Sequence, residues 1–132
     1  MEQNTVLTDR KKSPRKLSFQ SRIIKSIINA IQEKKGELII SADLRNIPEA
    51  VADFFIICQA SSHVQVKAIA EHVQDKVRED CNEQPYHYEG FQTAMWVLVD
   101  YINVVVHVMQ PATRQFYKLE DMWSDAPQKG HS

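Results

Sequence analysis

From Phe19 to Lys35 the apolar residues Phe19, Ile23, Ile24, Ile27, Ile28 and Ile31 recur three and four apart, the spacing that lines one face of a helix. Ser18 or Ser21 suits its start and Gly36 its end. "ELIISADL", from Glu37 to Leu44, is short and rich in β-branched residues and predicts a strand that closes at Asn46 and Pro48. "DFFIICQA", from Asp53 to Ala60, is a continuous apolar run and predicts a strand covered on both faces, at the centre of a sheet. Ser62 and Gln65 then have the spacing of a capping box, and Val66, Ile69, Ala70, Val73 and Val77 mark the inner face of a long helix ending near Cys81, with Lys67, Gln74, Lys76 and Arg78 left to water. "PYHYE" predicts a short edge strand opened by proline and ended by Gly90. Residues 94–101 and 103–110 predict two strands in a tight hairpin. Pro111 fits the first turn of a closing helix whose inner face is Phe116, Leu119 and Trp123.

The order helix, strand, strand, helix, three strands, helix departs from the strict alternation of a doubly wound fold. It predicts an α/β chain of the α+β kind: a single domain with a mixed sheet of about five strands and flanking helices. The boundaries that follow are a basic arm over residues 1–18, a domain over 19–126 and a polar tail over 127–132.

Alternation along the hairpin separates Trp96, Leu98 and Asp100 from Met95, Val97, Val99 and Tyr101, and it separates Asn103, Val105, His107 and Met109 from Val104, Val106 and Val108. Pairing like with like gives one aliphatic core face and one amphipathic face with a tryptophan on it. Two readings of the second face stand. In one, Trp96 lies under the last helix and Asp100 accepts turn N–H groups; in the other, Trp96 anchors a protein partner, as interface hot spots do. Pattern alone favours the first.

At 132 residues, with 43% hydrophobic and 25% charged residues, the composition is that of one globular domain with an affordable core. The net charge of −1 conceals an asymmetry: Arg10, Lys11, Lys12, Arg15 and Lys16 against Glu2 and Asp9 give residues 1–18 a net +3 and leave −4 for the rest. The arm, poor in apolar residues, is expected to be disordered in isolation; its five cations are candidates for RNA contact. No apolar run is long enough for a membrane helix, and no apolar segment follows the N-terminal cations as a secretion signal requires, so a cytoplasmic location is expected. Cys58, inside an apolar run, reads as a small buried hydrophobe, and no spacing of Cys81 or of His63, His72, His87, His107 and His131 recommends a metal.

Enzymatic chemistry finds little support. Gly36, Gly90 and Gly130 do not lie between a strand and a helix, where a phosphate-binding loop needs them. No strand carries the paired carboxylates of two-metal phosphoryl transfer. The serines of the Ser61–Ser62 turn lack a base, and that turn reads first as an ordinary helix cap. No catalytic residue and no cofactor is expected.

The assembled motifs "DFFIICQASS", "VKAIAEHV", "EGFQTAMWVLVDY", "VVVHVM" and "RQFYKLEDMWSDA" resemble, in this order, those of the Iojap or ribosomal silencing factor family, over roughly residues 19–126. The chain departs from that pattern in the hairpin turn, where Ile102–Asn103 replaces a common Gly-Asp, and at Ala60, which replaces a common glycine. The resemblance implies a mixed α/β fold like that of nucleotidyltransferases but without their catalytic carboxylates. It also implies a factor that binds the large ribosomal subunit through a ribosomal protein on its subunit-joining face and blocks the small subunit when nutrients are scarce, or one that acts in large-subunit assembly. By resemblance Trp96 becomes an anchor, with Leu98, Asp100, Val105, His107 and Arg114 around it. Further candidate partners are ribosomal RNA, through the arm, and a second copy of the chain away from the ribosome. A nucleotidyltransferase using the Ser61–Ser62 turn is the rival from another class.

Overall fold

A computed structural model describes residues 10–132, and within them the elements run α1 (Arg22–Glu33), β1 (Glu37–Asp43), β2 (Phe54–Gln59), α2 (His63–Cys81), β3 (His87–Glu89), β4 (Trp96–Asp100), β5 (Val104–Met109), α3 (Pro111–Tyr117), α4 (Leu119–Met122) and β6 (Gln128–His131). The strands form one mixed sheet in the order β3-β4-β5-β2-β1-β6. β2 and β5 run parallel at its centre and every other pair is antiparallel. The apolar run of β2 is buried from Phe54 to Cys58, as a central strand covered on both faces requires.

α1 and α2 cover one face. Ile23, Ile24, Ile27 and Ile31 of α1 and Val66, Ile69, Val73 and Val77 of α2 are inaccessible or nearly so, packed with Phe54, Ile56, Cys58, Val97, Val99, Val104, Val106 and Val108 in one core. Complete burial of one such isoleucine contributes roughly 1.5–3 kcal/mol, so the amphipathic spacing read from the sequence is the main force seating both helices. The helix ends are more individual. Lys35 adopts φ 62 after α1, its N–H donating to Gln32 O (3.0 Å) and that of Gly36 to Ile31 O (2.9 Å), a Schellman motif whose left-handed residue is a lysine. Gly36 serves differently: a side chain there would strike Ile31. At α2, Ser62 Oγ accepts the Gln65 N–H (3.1 Å), but the Gln65 amide donates to the carbonyls of Lys34 and Lys35 (both 3.3 Å) and so ties the start of α2 to the end of α1 instead of closing the capping box.

The sheet has six strands where about five were expected. The extra one, β6, comes from the polar tail and pairs with β1 from Ala42↔Gln128 to Ile39↔His131; an exposed edge strand needs no apolar period, and this one has none. The closing helix also differs. Lys118 adopts φ 48 and breaks it into α3 and α4, so that Leu119 is buried while Phe116, expected on the inner face, points to solvent.

Residues 10–17, part of the segment expected to be disordered in isolation, lie along the domain. Arg10 pairs with Asp100, Lys12 with Asp53 and Arg15 with Glu83, and Leu17 is buried against the core. Residues 1–9 lie outside the described ones.

Gly90 has φ +93 and a Cβ there would run into the Trp96 carbonyl, so Gly90→Ala should cost on the order of 2 kcal/mol in urea denaturation, whereas Gly130→Ala, with nothing within 4 Å, should leave the midpoint unchanged.

Candidate functional site

The pairing of β4 with β5 is Trp96↔Met109, Leu98↔His107 and Asp100↔Val105. This register puts Trp96, Leu98, Asp100, Val105 and His107 on the face turned away from α1 and α2, where β2 adds Phe55 and Ile57 opposite Val105 and His107. The covering here is thin. Leu44, Ala50, Ala52 and Ala126 pack over Phe55 and Val105, with Ile47, Leu98 and Trp123 at the border, and Leu119 closes over Ile57 and Met109 with Trp96 beside it.

Six rings run across this face in contact. Phe116 and Tyr117 meet at 5.0 Å between centroids, Tyr117 and Trp96 at 4.8 Å, Trp96 and His107 at 5.9 Å, His107 and Phe55 at 4.8 Å, and Phe55 and Trp123 at 6.2 Å. Edge-to-face geometry dominates, which aromatic quadrupoles favour. The row is deepest inside and reaches water at one end: Phe55 and His107 are buried, Trp123 and Trp96 on either side of them are half-buried, Tyr117 is 49% exposed and Phe116 79%. Trp96 is therefore neither sealed beneath the last helix nor bare. Tyr117 leans on it, and its indole N–H donates to His107 Nδ1 at 3.0 Å.

That bond fixes the imidazole. With Nδ1 accepting, the proton of the neutral ring sits on Nε2, which is buried and meets no acceptor among the described residues. Burial holds the His107 pKa down at about 4, and the carboxylate of Asp100 opposes this only weakly. A ring kept neutral in this way positions the indole and offers no proton at neutral pH.

Asp100 closes the other end of β4. Its Oδ1 accepts the Ile102 N–H (2.7 Å) and its carboxylate takes both Nε and Nη2 of Arg10 (2.7 and 2.9 Å). The hairpin turn bends at Ile102, which adopts φ 72 with Asn103 N–H donating to Tyr101 O (2.9 Å), a γ-turn. A β-branched residue is strained there, and the bonds from Asp100 and Arg10 hold it.

The structure thus brings Trp96 and four of the five residues nominated around it onto one face, but it makes only Trp96 and Leu98 accessible; Asp100, Val105 and His107 are buried beneath or beside them. Arg114 stands apart. It is buried, with Nε and Nη2 on Glu120 (2.9 and 2.8 Å) and Nη1 on the Leu38 carbonyl (2.8 Å), so it ties α3 to α4 and to the bulge in β1 and is not presented for direct contact. The five cations of the arm divide into two groups. Arg10, Lys12 and Arg15 are engaged with the domain's own carboxylates, while Lys11 and Lys16 are exposed. Phe116 and Tyr117 were missed as surface residues because no glycine or proline announces the break at Lys118; only the adjacent aromatic pair hinted at it.

The rival chemistry gains no geometry. Ser62 is spent as a cap, and burial pushes the Cys58 thiol up to about 12, far from a nucleophile's range. Among the described residues no group of three His, Cys, Asp or Glu side chains is placed to hold a metal, and no helix is long and apolar enough to cross a membrane.

Comparison with known proteins agrees over nearly the whole domain. The family model described as "Ribosomal silencing factor during starvation" matches residues 18–131. A Bacillus subtilis protein named ribosomal silencing factor RsfS is 43% identical over 108 residues, covering 82% of this chain and 90% of that one. The mouse protein named mitochondrial assembly of ribosomal large subunit protein 1 is 31% identical over 74 residues, 54% of this chain and 32% of that one. A crystal structure of a Chromobacterium violaceum protein superposes with a TM-score of 0.75 at 37% identity, covering 82% of this chain and 88% of that one.

His107 predicts an acid dependence. The unfolded imidazole, near 6.5, takes up a proton that the folded one refuses until about 4, so its contribution is intact above pH 6.5 and is lost as pH falls through that window. The loss should reach about 3 kcal/mol. In urea denaturation between pH 4 and 7, His107→Gln should flatten the curve relative to the parent; parallel curves would place the titration elsewhere.

Proposed function

Because the chain belongs to the ribosomal silencing factor family, we propose that it is a cytoplasmic factor that docks its thinly covered sheet face on a ribosomal protein at the joining surface of the large subunit. The bulk of the domain then occupies space the small subunit needs, and translation falls when nutrients are scarce. The observation that carries this reading is the aromatic row. It surfaces at Trp96, Tyr117 and Phe116, beside half-buried Leu98, on the one sheet face that no long helix covers.

Aromatic anchors supply much of the affinity at protein interfaces because they bury a large area at small conformational cost. Here the cost is lower still: Trp96 is oriented by His107 and braced by Tyr117, so little rotamer freedom remains to be lost on docking. Asp100, Val105, His107 and Arg114 contribute from behind, by holding the face that a partner meets.

A second reading uses the same surface in assembly of the large subunit; the name of the mouse relative favours it. The two separate on a sucrose gradient. A silencing factor added to purified subunits lowers the joined-ribosome peak, whereas loss of an assembly factor from cells leaves precursor particles.

Trp96→Ala and Phe116→Ala test the docking face. Trp96→Ala should weaken binding to purified large subunits by about 2 kcal/mol, roughly thirtyfold in Kd, and Phe116→Ala by less, with both variants still melting cooperatively. Co-sedimentation at parental strength by a folded Trp96→Ala variant would overturn the assignment.

A further inference from the structure

The arm is held by a site with the chemistry of a peptide receptor. Arg10 donates Nε and Nη2 to the two oxygens of Asp100 (2.7 and 2.9 Å), Nη2 also to the Ile102 carbonyl (2.8 Å) and Nη1 to the Val51 carbonyl (2.6 Å), so all three guanidinium nitrogens meet an acceptor. Three residues on, the Asn103 side chain grips backbone. Its Oδ1 accepts from the Ser13 N–H (3.1 Å) and hydroxyl (3.0 Å), and its Nδ2 donates to the Ser13 carbonyl (3.2 Å) and to Asp53 (2.7 Å). Lys12 reaches the same Asp53 at 3.3 Å. Two carboxylates, two carbonyls and a buried asparagine amide therefore form one acidic corner on the hairpin tip, at the end of the docking face.

We infer that this corner is a recognition site for an arginine-led basic peptide segment, that residues 10–13 occupy it in cis as a strap, and that a basic segment of the ribosomal partner displaces the strap when the chain docks. This rests on the docking reading above. Three observations carry it. The corner lies within the stretch matched by the family model, which begins at residue 18, whereas its occupant lies outside that stretch. The fit is for guanidinium: an arginine's planar fork satisfies carboxylate and carbonyls together, which no lysine does. And the strap is exchangeable, since between Arg10 and Lys16 it is held by polar bonds at the domain surface, with its first deeply buried apolar anchor at Leu17. One guanidinium can therefore replace another without opening the core.

The consequence is competition: while the strap is seated, only a fraction of the chain is ready to dock, and apparent affinity falls by that fraction. The test uses the full chain. Arg10→Ala, folded by thermal melt, should bind purified large subunits roughly fivefold to tenfold more tightly than the parent, and Arg10→Lys should fall between. Trypsin cleavage after Lys11 and Lys12, followed by mass spectrometry, should be slow in the free parent and faster both in free Arg10→Ala and in the parent bound to large subunits. Unchanged or weaker binding by Arg10→Ala, the result expected if the arm contacts RNA, would overturn the strap, as would an arm better protected in the complex than free. Failure of the docking reading shows separately, as parental binding by Trp96→Ala.

Discussion

The structure depends on the register of β4 against β5. Side chains alternate with a period of two, so a slip of one residue would carry Trp96 and Leu98 into the layer sealed by α1 and α2 and turn Val97 and Val99 outward. Hydrophobicity alone resists that slip only moderately, because both faces of this hairpin carry large apolar groups. The turn adds what the pattern lacks. Asp100 accepts the Ile102 N–H, Asn103 closes the γ-turn on Tyr101, and the buried side chain of Asn103 is itself held between Ser13 and Asp53. Polar groups at the hairpin tip thus decide which face the indole occupies ten or more ångströms of strand away, since four residues of β-strand span roughly 13 Å.

How much of this the sequence disclosed follows from the physics of each element. Period and burial agree where one face is apolar and the other wet: Ile23 to Ile31 and Val66 to Val77 announced the two long helices, and the apolar run of β2 announced a central strand. The alternation of the hairpin gave its two faces; the register that sets Leu98 opposite His107 came only with the structure. What was illegible lacks a local signature. β6 is a strand because β1 offers an edge to it, not because "QKGH" prefers extension. The break at Lys118 places a lysine where glycine or asparagine is the usual signal, and it inverts the environment of Phe116. The seating of the arm depends on Asp100, Asp53 and Glu83, each 40 or more residues away along the chain, so its charge balance was readable and its partners were not.

The candidate face shows a division of labour that composition could not display. Of the residues that resemblance groups around Trp96, the polar ones are inside: His107 beneath the indole, Asp100 at the turn, Arg114 between α4 and β1. Each costs desolvation and recovers it through a fixed geometry, the guanidinium of Arg114 by bonding Glu120 and the Leu38 carbonyl together. His107 recovers least, having a buried Nε2 without an acceptor and a pKa depressed to about 4. Its remaining value is orientation, because an aliphatic residue in its place could not receive the indole N–H.

Backbone strain is placed by the same logic. Among the described non-glycine residues outside the C-caps of α1 and α2, left-handed φ values fall at Leu38, Ala94, Ile102 and Lys118: Leu38 and Lys118 bond to Arg114, Ala94 precedes β4 and Ile102 follows it. Each is held by a specific bond. The Leu38 carbonyl receives Arg114, Ala94 donates to Gly90 and accepts from Gln110, Ile102 is bound by Asp100 and Arg10, and the Lys118 N–H donates to Arg114 O. Strained residues persist only where the surroundings over-determine them, and here those surroundings are the polar groups lying behind the face. The strained residues and their bonds fix both ends of β4 and the break between α3 and α4, and so fix where Trp96, Tyr117 and Phe116 stand.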